Sequence, residues 1–186
     1  MHPIICIAGQ KFNSWIFFLM LGFVVSFALF VIMRPKGFCL SRIQMTLFVS
    51  LFFISSLIGS RVFHILLYFR KYHGFPVGLL WKPTGVSSIG GQIFGWLITY
   101  LYTRGVKKSF LELVDYYIPF CALMAFIGRI GCLLHGCCLG QASSLPWATV
   151  FSYVGGAVAR HPTQAYEQIY TLSLFITLLR FYPRLS

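Results

Sequence analysis

The sequence predicts an all-α, polytopic integral membrane protein: a single domain over residues 1–186, with about five transmembrane helices and a glycine-rich loop on its outer face. Hydrophobic residues make up 58% of the chain and charged residues only 10%. Several apolar stretches approach the twenty residues that a spanning helix needs. A soluble domain of this length does not require so little charge. The composition therefore excludes an ordinary soluble globular protein.

The net charge of +12 comes from 15 Lys and Arg residues against three acidic ones. In a soluble protein such an excess suggests nucleic acid binding. Here most basic residues lie between apolar spans, where they set topology and attract anionic lipid headgroups. We therefore expect the lipid bilayer as a partner and no nucleic acid. No cofactor is expected either.

The first two apolar stretches predict the first two helices. They cover residues 14–33 and 43–69, and the basic cluster between them predicts an uncleaved first span whose C-terminal end faces the cytoplasm. In the second stretch, Arg61 must face protein, water or headgroups, because acyl chains do not solvate its charge. An arginine that snorkels from a tilted helix is an equal alternative.

Three further spans follow. The third enters through a glycine-rich segment and covers residues 85–102, the fourth covers 113–129, and the fifth covers 161–182. The glycines of the third span favour close helix packing. Residues 70–84 form an aromatic interfacial loop, and residues 141–160 form a surface loop over the site.

The distribution of basic residues supports an N-outside, C-inside arrangement of these five spans. Eight basic residues then fall inside and five outside, which is the bias expected from the positive-inside rule. The inside set is Arg34, Lys36, Arg42, Arg104, Lys107, Lys108, Arg180 and Arg184, and the outside set is Lys11, Arg70, Lys71, Lys82 and Arg160.

The segment Gly128–Gly140 holds the strongest functional pattern. It reads Gly-Arg-Ile-Gly-Cys-Leu-Leu-His-Gly-Cys-Cys-Leu-Gly and follows an apolar run. We expect a helix that breaks into a loop at the membrane surface, with Arg129 aimed at an anionic group. The alternative is a small-residue packing face with a snorkelling arginine.

Three cysteines in this segment have two interpretations. We expect Cys132, Cys137 and Cys138 to be packing residues, since small, soft side chains suit a tight helix-to-loop junction. Together with His135 they also include ligands that zinc or copper use. Adjacent cysteines rarely serve one tetrahedral site, so we expect no metal.

Four stretches match one family in order: His2-Pro-Ile-Ile with Ser14-Trp15, then Gly59–Tyr68, Gly128–Gly140 and His161–Glu167. They resemble the prolipoprotein diacylglyceryl transferases, inner-membrane enzymes of bacteria. The last stretch reads His-Pro-Thr-Gln-Ala-Tyr-Glu, which is similar to the family's His-Pro-Ser/Thr-Gln-x-Tyr-Glu box. The last two matches are quite specific.

The resemblance implies transfer of a diacylglyceryl group from phosphatidylglycerol to the thiol of a lipobox cysteine in a prolipoprotein. It implies that Arg129 binds the lipid phosphate and is essential. His135 is our candidate for the base that activates the thiol, with His64 as a weaker one. Arg61 holds the headgroup or supports the loop. The substrate-binding set is Arg61, Gly128, Gly131, Gly140, His161, Gln164, Tyr166 and Glu167.

Three positions depart from the family's pattern. Ile16 stands where a tyrosine is usual, Ile89 where the proposed catalytic histidine precedes a Gly-Gly pair, and Cys132 where an asparagine follows Gly-Arg-x-Gly. Family members also usually continue through further helices with another essential arginine. The competing hypothesis is therefore a catalytically degenerate relative that binds lipid or lipoprotein.

Overall fold

The computed structural model describes residues 4–7, 10–33, 40–69, 85–151 and 158–181, and the secondary structure within these ranges is mainly helical. The helices are α1 (Ser14–Ile32), α2 (Arg42–Leu67), α3 (Ser88–Val106), α4 (Phe110–His135) and α5 (Thr163–Phe181). The strands are β1 (Ile4–Ile7), β2 (Gln10–Asn13), β3 (Thr149–Val150) and β4 (Ala159–Arg160). The predicted all-α membrane class is confirmed.

Helices α1, α2 and α4 are long and apolar enough to cross a membrane. Helices α3 and α5 have 19 residues each, which corresponds to about 28 Å of helix. Their position as spans stays a prediction, as does the N-outside arrangement. The predicted interfacial loop 70–84 and the basic residues Arg34, Lys36 and Arg184 lie outside the described residues.

The chain divides into two compact units. One contains Met1–Lys36 and Asp115–Ser186, and the other contains Gly37–Val114. The first unit holds α1, most of α4 and α5, and the second is built on α2 and α3. The expectation of a single domain stays a prediction.

In the unit Gly37–Val114, α2 and α3 pack against each other through glycines. A Cβ on Gly59 would overlap Phe94 and the carbonyl of Gly90, and a Cβ on Gly90 would overlap Phe63 and the carbonyl of Gly59. At the other end of the pair, the Tyr102 hydroxyl donates to a carbonyl near the start of α2, 2.7 Å away. The pairing of these ends makes the helices antiparallel. The packing role predicted for the α3 glycines is confirmed.

In the other unit, α1 packs against α4. A Cβ on Gly131 would lie 3.0 Å from the carbonyl oxygen of Ser14, and one on Gly22 would lie 3.0 Å from the carbonyl oxygen of Met124. Near the opposite end, the rings of Phe30 and Phe120 meet edge to face at 5.5 Å. Small residues thus let two antiparallel backbones approach closely, as in other membrane helix pairs.

Two short hairpins accompany these helices. β1 pairs antiparallel with β2, and Asn13 at its end caps α1 by accepting a hydrogen bond from the Trp15 amide at 3.0 Å. β3 pairs antiparallel with β4, with Thr149 opposite Arg160. The sequence predicted an apolar segment and a surface loop at these places, because strands of two to four residues are too short to show a period of two.

Candidate functional site

The loop of the Gly128–Gly140 segment begins later than the sequence predicts. α4 continues through Gly128 and ends at His135. Gly136 follows with φ 77°, and its amide donates to the Cys132 carbonyl at 2.9 Å. A glycine in the left-handed region directly after a helix is a common helix end. The predicted end of the fourth span at Arg129 is therefore corrected to His135, and Arg129 lies within a regular helix.

The start of α5 holds this loop through side chains. The Thr163 hydroxyl donates to the carbonyl of Cys138 at 2.6 Å, and the side-chain amide of Gln164 donates to the carbonyl of Cys137. Gln164 is fully buried, and its amide oxygen has no hydrogen-bond partner among the described residues. The hydrogen bond to Cys137 is the contact by which Gln164 holds the loop, and the burial of its unsatisfied amide oxygen has a free-energy cost. Its predicted substrate contact stays a prediction.

Backbone hydrogen bonds also hold the last residues of the segment, and together with the side-chain contacts of Thr163 and Gln164 they form what we call the clamp. The Gly140 amide donates to the His161 carbonyl at 3.1 Å, and the His161 amide donates to the Gln141 carbonyl at 3.0 Å. A Cβ on Gly140 would lie 2.7 Å from the His161 Cβ, so a side chain at this position would push the two segments apart. The two sequence stretches with the most specific pattern are thus in direct contact.

An ion pair joins the same two helices. The Arg129 guanidinium contacts the Glu167 carboxylate, and the two side chains are 31% and 44% exposed. Both residues were predicted as site residues, but their pairing was not, because they are far apart in sequence. The charge of Arg129 is therefore compensated within the protein, while about a third of its side chain stays exposed.

Tyr166 is the centre of a second polar contact. Its hydroxyl accepts a hydrogen bond from the Trp147 indole at 2.8 Å and lies 3.1 Å from Nδ1 of His161. Sequence reasoning placed Trp147 only in a surface loop and missed this contact. The sequence shows only a tryptophan beside Pro146 in a polar loop, and that pattern does not predict which residue the indole contacts. Tyr166 and His161 remain predicted substrate contacts.

The three cysteines converge. The sulfur atoms of Cys132, Cys137 and Cys138 all lie within 4.8 Å of one another. Cys132 is buried on α4 and Cys138 is exposed in the loop. A hydrogen bond from Cys132 and the nearby Arg129 guanidinium lower the pKa of Cys138 to about 5, whereas burial raises the pKa of Cys137.

The predicted base, His135, is the last residue of α4. It lies six residues after Arg129, which on an α-helix is about 9 Å along the axis and about 120° around it. The backbone therefore places the two residues on different faces, whereas Cys132 shares a face with Arg129. The role of His135 as a base stays a prediction.

Arg61 and His64 lie in the other unit, Gly37–Val114. Arg61 donates from Nη1 to the Gly85 carbonyl at 2.6 Å. Gly85 has φ 136°, and a Cβ there would lie 2.5 Å from the His64 ring. Of the two roles expected for Arg61, these contacts favour support of the segment that leads into α3. Its headgroup contact stays a prediction.

The predicted site glycines differ in their surroundings. Gly131 packs against α1 and Gly140 against His161, so chain packing explains both. Among the described residues, a Cβ on Gly128 would meet only a Leu19 methyl group at 4.0 Å, so none of these neighbours requires a glycine there. The predicted contacts of these glycines with lipid stay predictions.

Comparison with known proteins decides the family. A family model described as prolipoprotein diacylglyceryl transferase matches residues 3–185. The chain belongs to this family. Curated relatives named phosphatidylglycerol–prolipoprotein diacylglyceryl transferase include one from Idiomarina loihiensis, 36% identical over 132 residues, which are 69% of this chain and 49% of the relative. A relative of the same name from Clostridium tetani is 30% identical over 129 residues, which are 68% of this chain and 52% of that protein.

The chain spans about half the length of the curated relatives it matches.

Two of its departures from the family's pattern lie on helix surfaces, since Ile16 and Ile89 are 50% and 56% exposed. The third departure, Cys132, is buried in the cysteine cluster. The resemblance drawn from the four sequence stretches is confirmed at the level of the family.

Proposed function

We propose that this multi-pass membrane protein transfers a diacylglyceryl group from phosphatidylglycerol to the thiol of a lipobox cysteine, at the outer face of a bacterial inner membrane. The observation that carries the proposal is the contact between the Gly128–Gly140 segment and the His161–Glu167 segment. Both stretches resemble the family, and their contact places an arginine and a carboxylate beside each other at one end of a helix pair.

The reaction needs a cation where the leaving group forms. The thiolate sulfur bonds to the terminal glycerol carbon of the diacylglyceryl group, and the bond from that carbon to the phosphate oxygen breaks. The electron pair leaves with the phosphate oxygen, so glycerol phosphate departs as an anion, and the thiol proton goes to a base. Interactions with this developing charge lower the barrier.

Arg129 has the properties that this step requires. A guanidinium carries five N–H donors in a planar fork and binds phosphate oxygens in pairs. In the structure Glu167 engages one side of Arg129, and about a third of the arginine side chain remains exposed. We propose that a lipid phosphate competes with Glu167 for the guanidinium, while the carboxylate keeps the arginine oriented when no lipid is bound.

The thiol needs a base to become a thiolate. His135 is our candidate within the segment. Because it lies on a different face of α4 from Arg129, it can reach the thiol of the lipobox cysteine only if the bound substrates extend around the helix to that face. If no base is present, the protein binds phosphatidylglycerol without turnover, which is the competing function. The isoleucine at position 89, in place of the family's histidine, is the observation that favours this alternative.

One assay separates the two functions. Purified protein in phosphatidylglycerol-containing nanodiscs is incubated with a lipobox peptide, and the mass of the peptide is followed. A transferase adds one diacylglyceryl group to the cysteine peptide and none to the matched serine peptide. Phosphatidylglycerol binding without any mass gain would identify the lipid-binding alternative, and absence of both would contradict the proposed function entirely.

A further inference from the structure

The sequence alone favours a packing role and no metal for Cys132, Cys137 and Cys138. From the convergence of their sulfur atoms we infer instead that they form a binding site for a divalent, thiophilic metal ion of the zinc type. The three sulfur atoms come from the last turn of α4 and from the loop that follows it, and they lie within 4.8 Å of one another. This inference does not depend on the transferase activity, because it concerns only the cysteine cluster.

The separations fit metal coordination. Zinc binds thiolate sulfur at about 2.3 Å, so two sulfurs on one tetrahedral ion lie about 3.8 Å apart. The sulfurs of Cys137 and Cys138 are 3.9 Å apart, close to that value. The largest separation in the cluster exceeds the tetrahedral value by about 1 Å at most. Small rotations about the side-chain bonds are enough to bring all three sulfurs onto one ion.

The backbone is arranged so that two adjacent cysteines face the same point. Neighbouring residues in an extended loop point in opposite directions, which is why adjacent cysteines rarely bind one ion. Here Cys138 has φ 60°, a left-handed conformation that is uncommon for a residue other than glycine. It follows Gly136 with φ 77°, so the chain turns sharply and returns the Cys138 sulfur to the cluster. Such conformations persist where surrounding contacts impose them, and they are frequent at functional sites.

Those surrounding contacts belong to α5. The side chains of Thr163 and Gln164 donate hydrogen bonds to the carbonyls of Cys138 and Cys137. These bonds hold the backbone of the turn in place before any ion binds. Cys132 is fixed by its position on α4, where it is 5% exposed. A site whose ligands are already positioned loses little conformational freedom on binding.

The donor set selects the class of metal. Three thiolates are soft ligands, which favour zinc and related d¹⁰ ions over magnesium or calcium. A divalent ion leaves a net charge of −1 on the three-thiolate centre, and the Arg129 guanidinium lies near the Cys138 sulfur. The Arg129 guanidinium and the bound metal ion together offset the negative charge of the three thiolates. With three protein ligands, a fourth position stays open to water or to an incoming thiol.

The test uses the full chain in detergent, reduced and freed of metal with a chelator that is then removed. Cadmium chloride is titrated in, and the thiolate-to-cadmium charge-transfer absorbance in the near ultraviolet is measured. The expected result is saturation at one equivalent for each chain. The same protein treated with zinc chloride is expected to unfold at a higher temperature.

Matched cysteine variants locate the site. Cys138→Ser is expected to lose the absorbance and the thermal shift, and because this side chain is exposed the substitution leaves the fold intact. Cys6→Ser and Cys121→Ser are expected to bind cadmium as the unchanged protein does. Stoichiometric binding that persists in Cys138→Ser would overturn the inference. So would a fully reduced, folded protein that binds neither metal, whatever the outcome of the lipid-transfer assay.

Discussion

Replacing Arg129 separates a phosphate-binding role from a structural one. The ion pair with Glu167 is partly exposed on both sides, and such pairs contribute about 0–1 kcal/mol to stability. Loss of a charged hydrogen-bonding partner from a substrate commonly costs about 2–5 kcal/mol. Since about 1.4 kcal/mol is tenfold, 2 kcal/mol is about 30-fold in rate or affinity. Arg129→Ala is therefore expected to reduce phosphatidylglycerol binding or transfer at least about 30-fold with little loss of folded protein.

Two further variants refine this prediction. Arg129→Lys keeps the charge but not the two-point fork, so we expect it to lose most of the activity as well. Glu167→Gln removes the competing carboxylate, and we expect phosphatidylglycerol to bind more tightly, by at most about fivefold, which corresponds to the 1 kcal/mol upper value of an exposed pair. Arg104→Lys, on α3, is the matched control.

The assay is phosphatidylglycerol binding to purified variants in nanodiscs, with abundance and unfolding temperature measured on the same samples. A snorkelling role predicts the opposite pattern, in which lysine behaves as arginine does and alanine lowers abundance. Normal lipid binding and transfer by a well-folded Arg129→Ala protein would refute the phosphate-binding argument.

Three other predictions concern the clamp and the topology. Gly140→Ala is expected to destabilise the protein by about 1–3 kcal/mol because the added methyl overlaps the segment that precedes α5. Gly105→Ala, where no described atom lies within 4 Å of the added Cβ, is expected to be neutral or stabilising by up to about 1 kcal/mol. Thermal unfolding in detergent compares the two variants. Thr163→Val removes a donor to the loop and is expected to cost about 1 kcal/mol, while Thr163→Ser keeps it; equal unfolding temperatures would contradict this. Reporter fusions are expected to place residue 106 inside and residue 148 outside, and the reverse result would rule out the N-outside arrangement.

The sequence by itself determined the class of the protein and most helix positions. The predicted spans 14–33 and 43–69 agree closely with α1 and α2, because bilayer thickness translates directly into the length of an apolar run. The family also followed from sequence, since the Gly128–Gly140 and His161–Glu167 segments carry specific residue patterns. The end of α4 was missed, because glycines within a membrane helix do not necessarily break it.

Only the tertiary structure decided what the site residues contact. The pairing of Arg129 with Glu167 and the hold of Thr163 on the cysteine loop join residues 38 and 25 positions apart. The convergence of Cys132, Cys137 and Cys138 depends on a left-handed backbone at Cys138, which no propensity predicts for a cysteine. The length of an apolar run is a local property, because it depends only on consecutive residues of one span. The partner of a charge or a thiol depends on which helices pack together, and that is settled only when α1, α4 and α5 fold into one unit.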